Sequence, residues 1–300
     1  MKSIVCVGSI GLDTTRTPFK TVERVLGGSA TYFALAARHF TRTNVVSVVG
    51  EDFPLEYWNF LEKENVDLSG VQRASGKTFF FDSSFDHALY SRKTNVTELN
   101  VFEGFKPVVP EAFKSTEIVY LGNLIPEEQL SVLKQTTGCK LSFMDTIEYY
   151  IKNDLENLKI VLKEVDGAIL NDSEARMLSG ESNLLSAGKK IQNMGPEILV
   201  IKKGEHGCLL FFEDRVYPIP AFPLENVVDP TGAGDSFAGG FVGFLSQSSE
   251  INASSLREAV AFGTIMGSFC VEDFSVNKLS TVTQNEINER LSIYKSLVSF

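Results

Sequence analysis

The chain has 300 residues, 43% hydrophobic and 22% charged, which allows a sizeable buried core in one or two domains. Its net charge of -10 argues against nucleic-acid binding, which calls for a basic patch. No apolar run reaches the ~18 residues of a membrane helix, so no membrane association is expected.

The first apolar stretch, residues 4–7, soon meets Gly11 and Asp13 and reads as a β-strand rather than a leader. Similar apolar runs recur at 45–49, 118–121, 141–144, 168–170 and 198–201. Such unbroken runs predict strands covered on both faces. Helical patterns lie between most of them, at 30–40, 55–63, 127–135, 155–165 and 184–194. Asp52 ahead of Pro54 predicts one helix start, with the carboxylate as cap and proline in the first turn. The last third turns helical at 232–245, 254–270 and 284–298. This rhythm predicts an α/β fold with a mostly parallel central sheet and helices on both faces.

Two stretches break the rhythm. Residues 13–26 are short and polar, and 78–99 alternate and carry Phe79, Phe80, Phe81, Phe85 and Tyr90. Both predict antiparallel ribbon. The expected organisation is a core of 1–12, 27–76 and 100–300 with a β-ribbon lid of 13–26 and 77–99. The run Phe79–Phe81 has two readings. It closes the lid floor or a homodimer contact, or it stacks on a nucleobase.

Cys6, Cys139, Cys208 and Cys270 lie far apart and form no C-x-x-C pair. They read as reduced thiols of a cytoplasmic protein. His39, His87 and His206 show no zinc spacing. Ala74-Ser75-Gly76-Lys77-Thr78 has part of a P-loop, but the required first glycine is Val71, and no helix follows.

The most informative segment is Asp229-Pro230-Thr231-Gly232-Ala233-Gly234-Asp235, directly ahead of a helical run. Bare amides at a helix N-terminus form an anion site, because those donors lack helical partners and the dipole adds positive potential. Asp235 falls in the first turn beside it.

This string resembles the signature of the ribokinase-like (PfkB) carbohydrate kinases, Asp-Thr-x-Gly-Ala-Gly-Asp, with the threonine shifted by one place. The resemblance implies a ribokinase-like fold and transfer of the ATP γ-phosphoryl group to a hydroxyl of a small molecule, with magnesium. The amides of Gly232, Ala233 and Gly234 would form the anion hole, and Asp235 would be the catalytic base. Phosphoryl transfer has a loose transition state, so even a weak base, its pKa lowered by the helix N-terminus, suffices.

Further matches follow in order along the chain. Gly8-Ser9-Ile10-Gly11-Leu12-Asp13 is similar to the first strand and turn, whose aspartate binds sugar hydroxyls. Gly27-Gly28 resembles the glycine pair at the lid hinge, and Val49-Gly50-Glu51-Asp52-Phe53 the second βα unit. Asn171-Asp172-Ser173-Glu174 resembles the Asn-x-x-Glu motif that organises magnesium and phosphate through water. Lys203, Gly204 and Gly207 fall in the turn where the nucleotide lies.

Two departures concern the acceptor. Tyr32 stands where many members carry a substrate-binding asparagine, and Pro230 occurs in some nucleoside kinases of the family. A nucleoside needs an apolar slot, which Tyr32 with Phe79 or Phe81 would line. A free sugar needs donors, which Ser83, Ser84 and Asn95 would supply. The polar residues outnumber what a base slot needs, so the expected acceptor is a sugar or sugar acid. The alternatives are a nucleoside and, more remotely, a non-catalytic ligand sensor.

Overall fold

The computed structural model describes residues 2–89 and 92–299, so Tyr90 of the aromatic ribbon lies outside the described residues. β1 (Ile4–Val7) opens the main sheet, and β2 (Gly11–Arg16) and β3 (Thr21–Gly27) leave it. α1 (Ser29–Ala37), β4 (Thr43–Val49), α2 (Leu55–Lys63) and β5 (Val66–Arg73) return to the core, and β6 (Phe79–Phe85) and β7 (Arg92–Glu98) leave it again. Strand and helix then alternate. β8 (Ile118–Leu121), α3 (Pro126–Gln135), β9 (Leu141–Met144), α4 (Glu148–Asn153) and α5 (Leu155–Glu164) come first. β10 (Gly167–Asn171), α6 (Asp172–Ser179), α7 (Leu184–Gln192) and β11 (Ile198–Lys202) follow. The hairpin β12 (Cys208–Phe212) and β13 (Arg215–Ile219) precedes α8 (Ala233–Leu245), α9 (Ala253–Cys270), α10 (Asn277–Thr281) and α11 (Gln284–Val298).

The main sheet runs β13-β12-β11-β10-β9-β8-β1-β4-β5, parallel except for the β11-β12-β13 end. Successive residues of its strands feed opposite cores, as a pleat requires. Ile4 and Cys6 enter the layer with α1, α8 and α9, while Val5 and Val7 enter the layer with α3, α5 and α7. β1 is flanked by β4 on one side and β8 on the other. The strand order therefore reverses there, and in open α/β sheets ligands bind beyond the strand C-termini at such a reversal.

The strands expected to form a lid make a separate sheet, ordered β3-β2-β6-β7. It is not all antiparallel, because β2 and β6 run parallel, with Asp13 beside Phe81. A crossover through the core joins them, which local alternation cannot reveal.

Asp52 is not a helix cap. Pro54 holds that position, without a side-chain cap bond. The Asp52 carboxylate instead accepts from the Thr78 amide at 2.6 Å and from Arg24 at 3.0 Å, tying the α2 entry to both lid segments. All four cysteines are free thiols. Among the described residues, no helix is long and apolar enough to cross a membrane.

Candidate active site

The signature loop is shaped by its own first residue. Asp229 Oδ1 accepts from the Thr231 amide at 2.9 Å, and the Val228 amide donates to Val271 O at the end of α9 at 2.8 Å. Gly232 then turns with φ 78°, and a Cβ there would lie 2.3 Å from the Tyr32 ring. Only glycine fits this turn. Tyr32, just 2% exposed, thus packs beneath the loop.

The expected row of three bare amides is incomplete. Ala233 N–H donates to Pro230 O at 3.2 Å. Gly234 lies in the first turn of α8, where an amide has no helical carbonyl to donate to, and it remains open to an anion.

Asp235 follows. Its pKa is not lowered, as a helix N-terminus alone would suggest, but raised to about 7. Burial is the largest cause and repulsion from Asp145 the next, opposed by Lys202 and Arg92. A carboxylate so placed becomes a stronger base than a free one, poised near neutrality.

Asn171 and Glu174 do come together, in a reciprocal cap. Asn171 Oδ1 accepts from the Glu174 amide, and Glu174 Oε2 accepts from the Asn171 amide, each at 2.8 Å. Glu174 is buried, and its pKa rises to about 8, through burial first and then repulsion from Asp145.

Asp145 escaped the sequence reading, and so did its pairing with Lys202. Asp145 follows β9, and Lys202 ends β11. Lys202 Nζ donates to Asp145 Oδ2 at 3.1 Å. A Cβ on Gly234 would lie 3.0 Å from that nitrogen. Burial pulls the ammonium's pKa down, but Asp145, Glu174 and Asp235 outweigh it and hold Lys202 charged. Position past the C-terminal ends of core strands was the signal that would have found the pair.

At the other end of the site Asp13 lies on β2, in the lid sheet, and not in a βα turn. It is 4% exposed and takes a hydrogen bond from the Gly28 amide, while its Oδ1 has no partner. Its pKa rises to about 7, from burial and then from Asp229. Gly27 and Gly28 permit this approach, since a Cβ on Gly27 would lie 2.0 Å from Asp13 Oδ2 and one on Gly28 2.4 Å from Ser9 O. Ser9 and Ser29 lock the same corner, each amide donating to the other's hydroxyl at 3.1 Å.

The polar lid residues are engaged with one another. Ser84 donates to Asn95 at 3.3 Å, Asn95 donates to Asp82 at 2.8 Å, and Asp82 pairs with Arg16 at 2.8 Å. Ser83 is fully buried, and Phe79 packs against Phe102 in the core. Lys203, Gly204 and Gly207 form a tight turn after β11, closed by Lys203 N–H to Gly207 O at 2.7 Å. Gly207 is required there by β13, because a Cβ would lie 2.1 Å from Ile219 O.

Fold and sequence together define the class. The chain belongs to the pfkB family of carbohydrate kinases, whose pattern matches residues 1–283. It is similar to a cytidine kinase from Thermococcus kodakarensis, 30% identical over 82% of this chain and 90% of that one. The nucleoside kinase structure from Methanocaldococcus jannaschii superposes with a TM-score of 0.79 at 22% identity, covering 98% of this chain and 99% of that one. A putative ribokinase II from E. coli, solved with ATP and magnesium, superposes with a TM-score of 0.80 at 17% identity, covering 98% of this chain and 100% of that one. The fold is ribokinase-like.

Proposed function

We propose that this kinase transfers the γ-phosphoryl group of ATP to a ribose hydroxyl of a nucleoside, in place of the free sugar that the lid's composition suggested. The observation that carries this reading is the wall beside Asp13. Asp13 and Phe81 are register partners on adjacent parallel strands, so their side chains share one face of the lid. Arg92 lies 5.4 Å over the Phe81 ring, and its charge reaches Asp13. An orphaned carboxylate oxygen suits a ribose hydroxyl, and an aromatic ring backed by a guanidinium suits a base. The similarity to a cytidine kinase supports the same acceptor class.

Asp235 accepts the acceptor's hydroxyl proton as the oxygen–phosphorus bond forms. The Gly234 amide holds charge on the transferring group. The residues present fit magnesium. Asp145, Glu174 and Asp235 surround one ammonium, which leaves surplus negative charge. No three described acids converge closely enough to cage a metal ion directly, which suits coordination through water and phosphate. Magnesium would neutralise phosphate charge there. Glu174 and Asn171 would orient its water shell. Free thiols suit a cytoplasmic setting.

The test is ADP release with cytidine, other nucleosides, pentoses, hexoses and sugar acids at equal concentration. A nucleoside should give the highest kcat/KM, and Phe81→Ala should raise its KM more than that of any free sugar. A free sugar as best acceptor would overturn the nucleoside reading while leaving Asp235 in place.

A further inference from the structure

We propose that Lys202 is a catalytic residue whose ammonium donates to the phosphoryl group in transit, and that Asp145 holds this ammonium in place before the nucleotide arrives. The inference rests on the kinase reading above and adds a cation to it. In the step, the acceptor oxygen bonds to the γ-phosphorus, the bond to the bridging oxygen breaks, and ADP leaves. The hydroxyl proton goes to Asp235, and Lys202 stays protonated throughout.

Three observations converge. The first is position. Lys202 ends a central strand and is the register partner of Asn171, the cap of α6. Its Nζ lies 3.0 Å from where a Cβ on Gly234 would stand, so it borders the open amide of the anion site. The second is spare capacity. An ammonium has three donors. Among the described residues Lys202 uses one, to Asp145 at 3.1 Å. The third is energetic. Only 16% of the Lys202 side chain and 13% of that of Asp145 are exposed. A buried ion pair is often no more stabilising than apolar residues of the same volume. A single hydrogen bond does little to offset its desolvation, so stability alone is a poor reason for the pair. An incoming phosphate supplies the missing acceptors. Lysine serves there as a compact point charge beside the directional amide.

A purely structural pair would clamp the ends of β9 and β11 without distinguishing nucleotides. The experiment therefore compares ADP with the β,γ-imido analogue of ATP, both with magnesium, by titration calorimetry. The double variant Lys202→Met with Asp145→Asn removes both charges, so neither partner is left buried alone. Its melting temperature checks that it folds. Affinity for the analogue should fall by about 10- to 100-fold, the scale of a charged hydrogen bond, while affinity for ADP changes less than about threefold. Asp145→Asn alone, which keeps the ammonium but loosens its hold, should weaken the analogue by less than the double variant does and leave ADP nearly unchanged. A loss as large as in the double variant would overturn the part given to Lys202. Equal losses for both nucleotides, or none for the analogue, would overturn the proposal. Wild-type turnover is read separately. A wild type that phosphorylates no acceptor refutes the proposed function but leaves the nucleotide comparison decisive for Lys202.

Discussion

Asp235 is pulled in opposite directions. Burial and Asp145 favour its neutral form, while Lys202 and Arg92 favour its charged form. The net result, near 7, means that the base is half ionised at neutral pH in the free enzyme. Because the ionised form accepts the proton, kcat/KM should rise with pH through about 7. Asp145→Asn removes the repulsion and should move that acid limb to lower pH in a coupled assay. Asp235→Asn keeps the shape and removes the base. It should lower kcat by roughly 10²–10⁴ with ADP affinity nearly unchanged. Near-wild-type turnover in that variant would remove Asp235 from the mechanism. This residue was legible because its glycine-rich setting is contiguous in sequence. The pairing of Lys202 with Asp145 was not, since 57 positions separate them and only the sheet brings them together.

The lid is an element whose anchoring the structure makes specific. Thr78 is held by Asp52 through its amide, and its hydroxyl oxygen accepts from the Gly50 amide at 3.0 Å. The half-buried and exposed strands β6 and β7 carry the proposed acceptor wall, so their order should matter for closure. Asp52→Ala should speed hydrogen exchange in 79–85 and 92–98 while leaving β1 and β8 protected. Acceptor binding should slow the same amides in wild type. Unchanged exchange in both comparisons would mean that the strands do not behave as a lid. Strand content was readable here from alternation. The parallel β2–β6 pairing was not, because it joins segments separated by α1, β4, α2 and β5. The same limit explains why Ser83, Ser84 and Asn95 looked like free donors. Hydrogen bonds between neighbouring strands engage two of them, while the third, Ser83, is buried with its hydroxyl unpartnered.

At the scale of the whole molecule, the site is a store of electrostatic strain. Asp13, Glu174 and Asp235 all have pKa values raised, to about 7, 8 and 7 respectively. A carboxyl group with a raised folded pKa favours folding fully while protonated in both states, below its unfolded value near 4. That advantage is lost as pH rises through the folded value. The ligand-free protein should therefore melt at a lower temperature at pH 8.5 than at pH 5.5, roughly spanning these values. Magnesium should narrow the difference, because its positive charge relieves the repulsion among these acids. A melting temperature independent of pH across that window would contradict the raised pKa values of these groups.

The chain alone determined the α/β alternation, the helix that follows Gly232 and the place of Asp235 in its first turn, because each depends on residues a few positions apart. Hydrophobic runs, turn glycines and a helix start are local properties, and their physics acts locally. Tertiary structure decided the rest. It set Tyr32 against the Gly232 turn, committed the Ala233 amide, turned Asp52 from an expected cap into a tether to Thr78 and Arg24, and joined Asp145 to Lys202. Each of these is a contact between distant segments. Its energy depends on distance, burial and neighbouring charge, and these exist only once the sheet has brought the strand ends together.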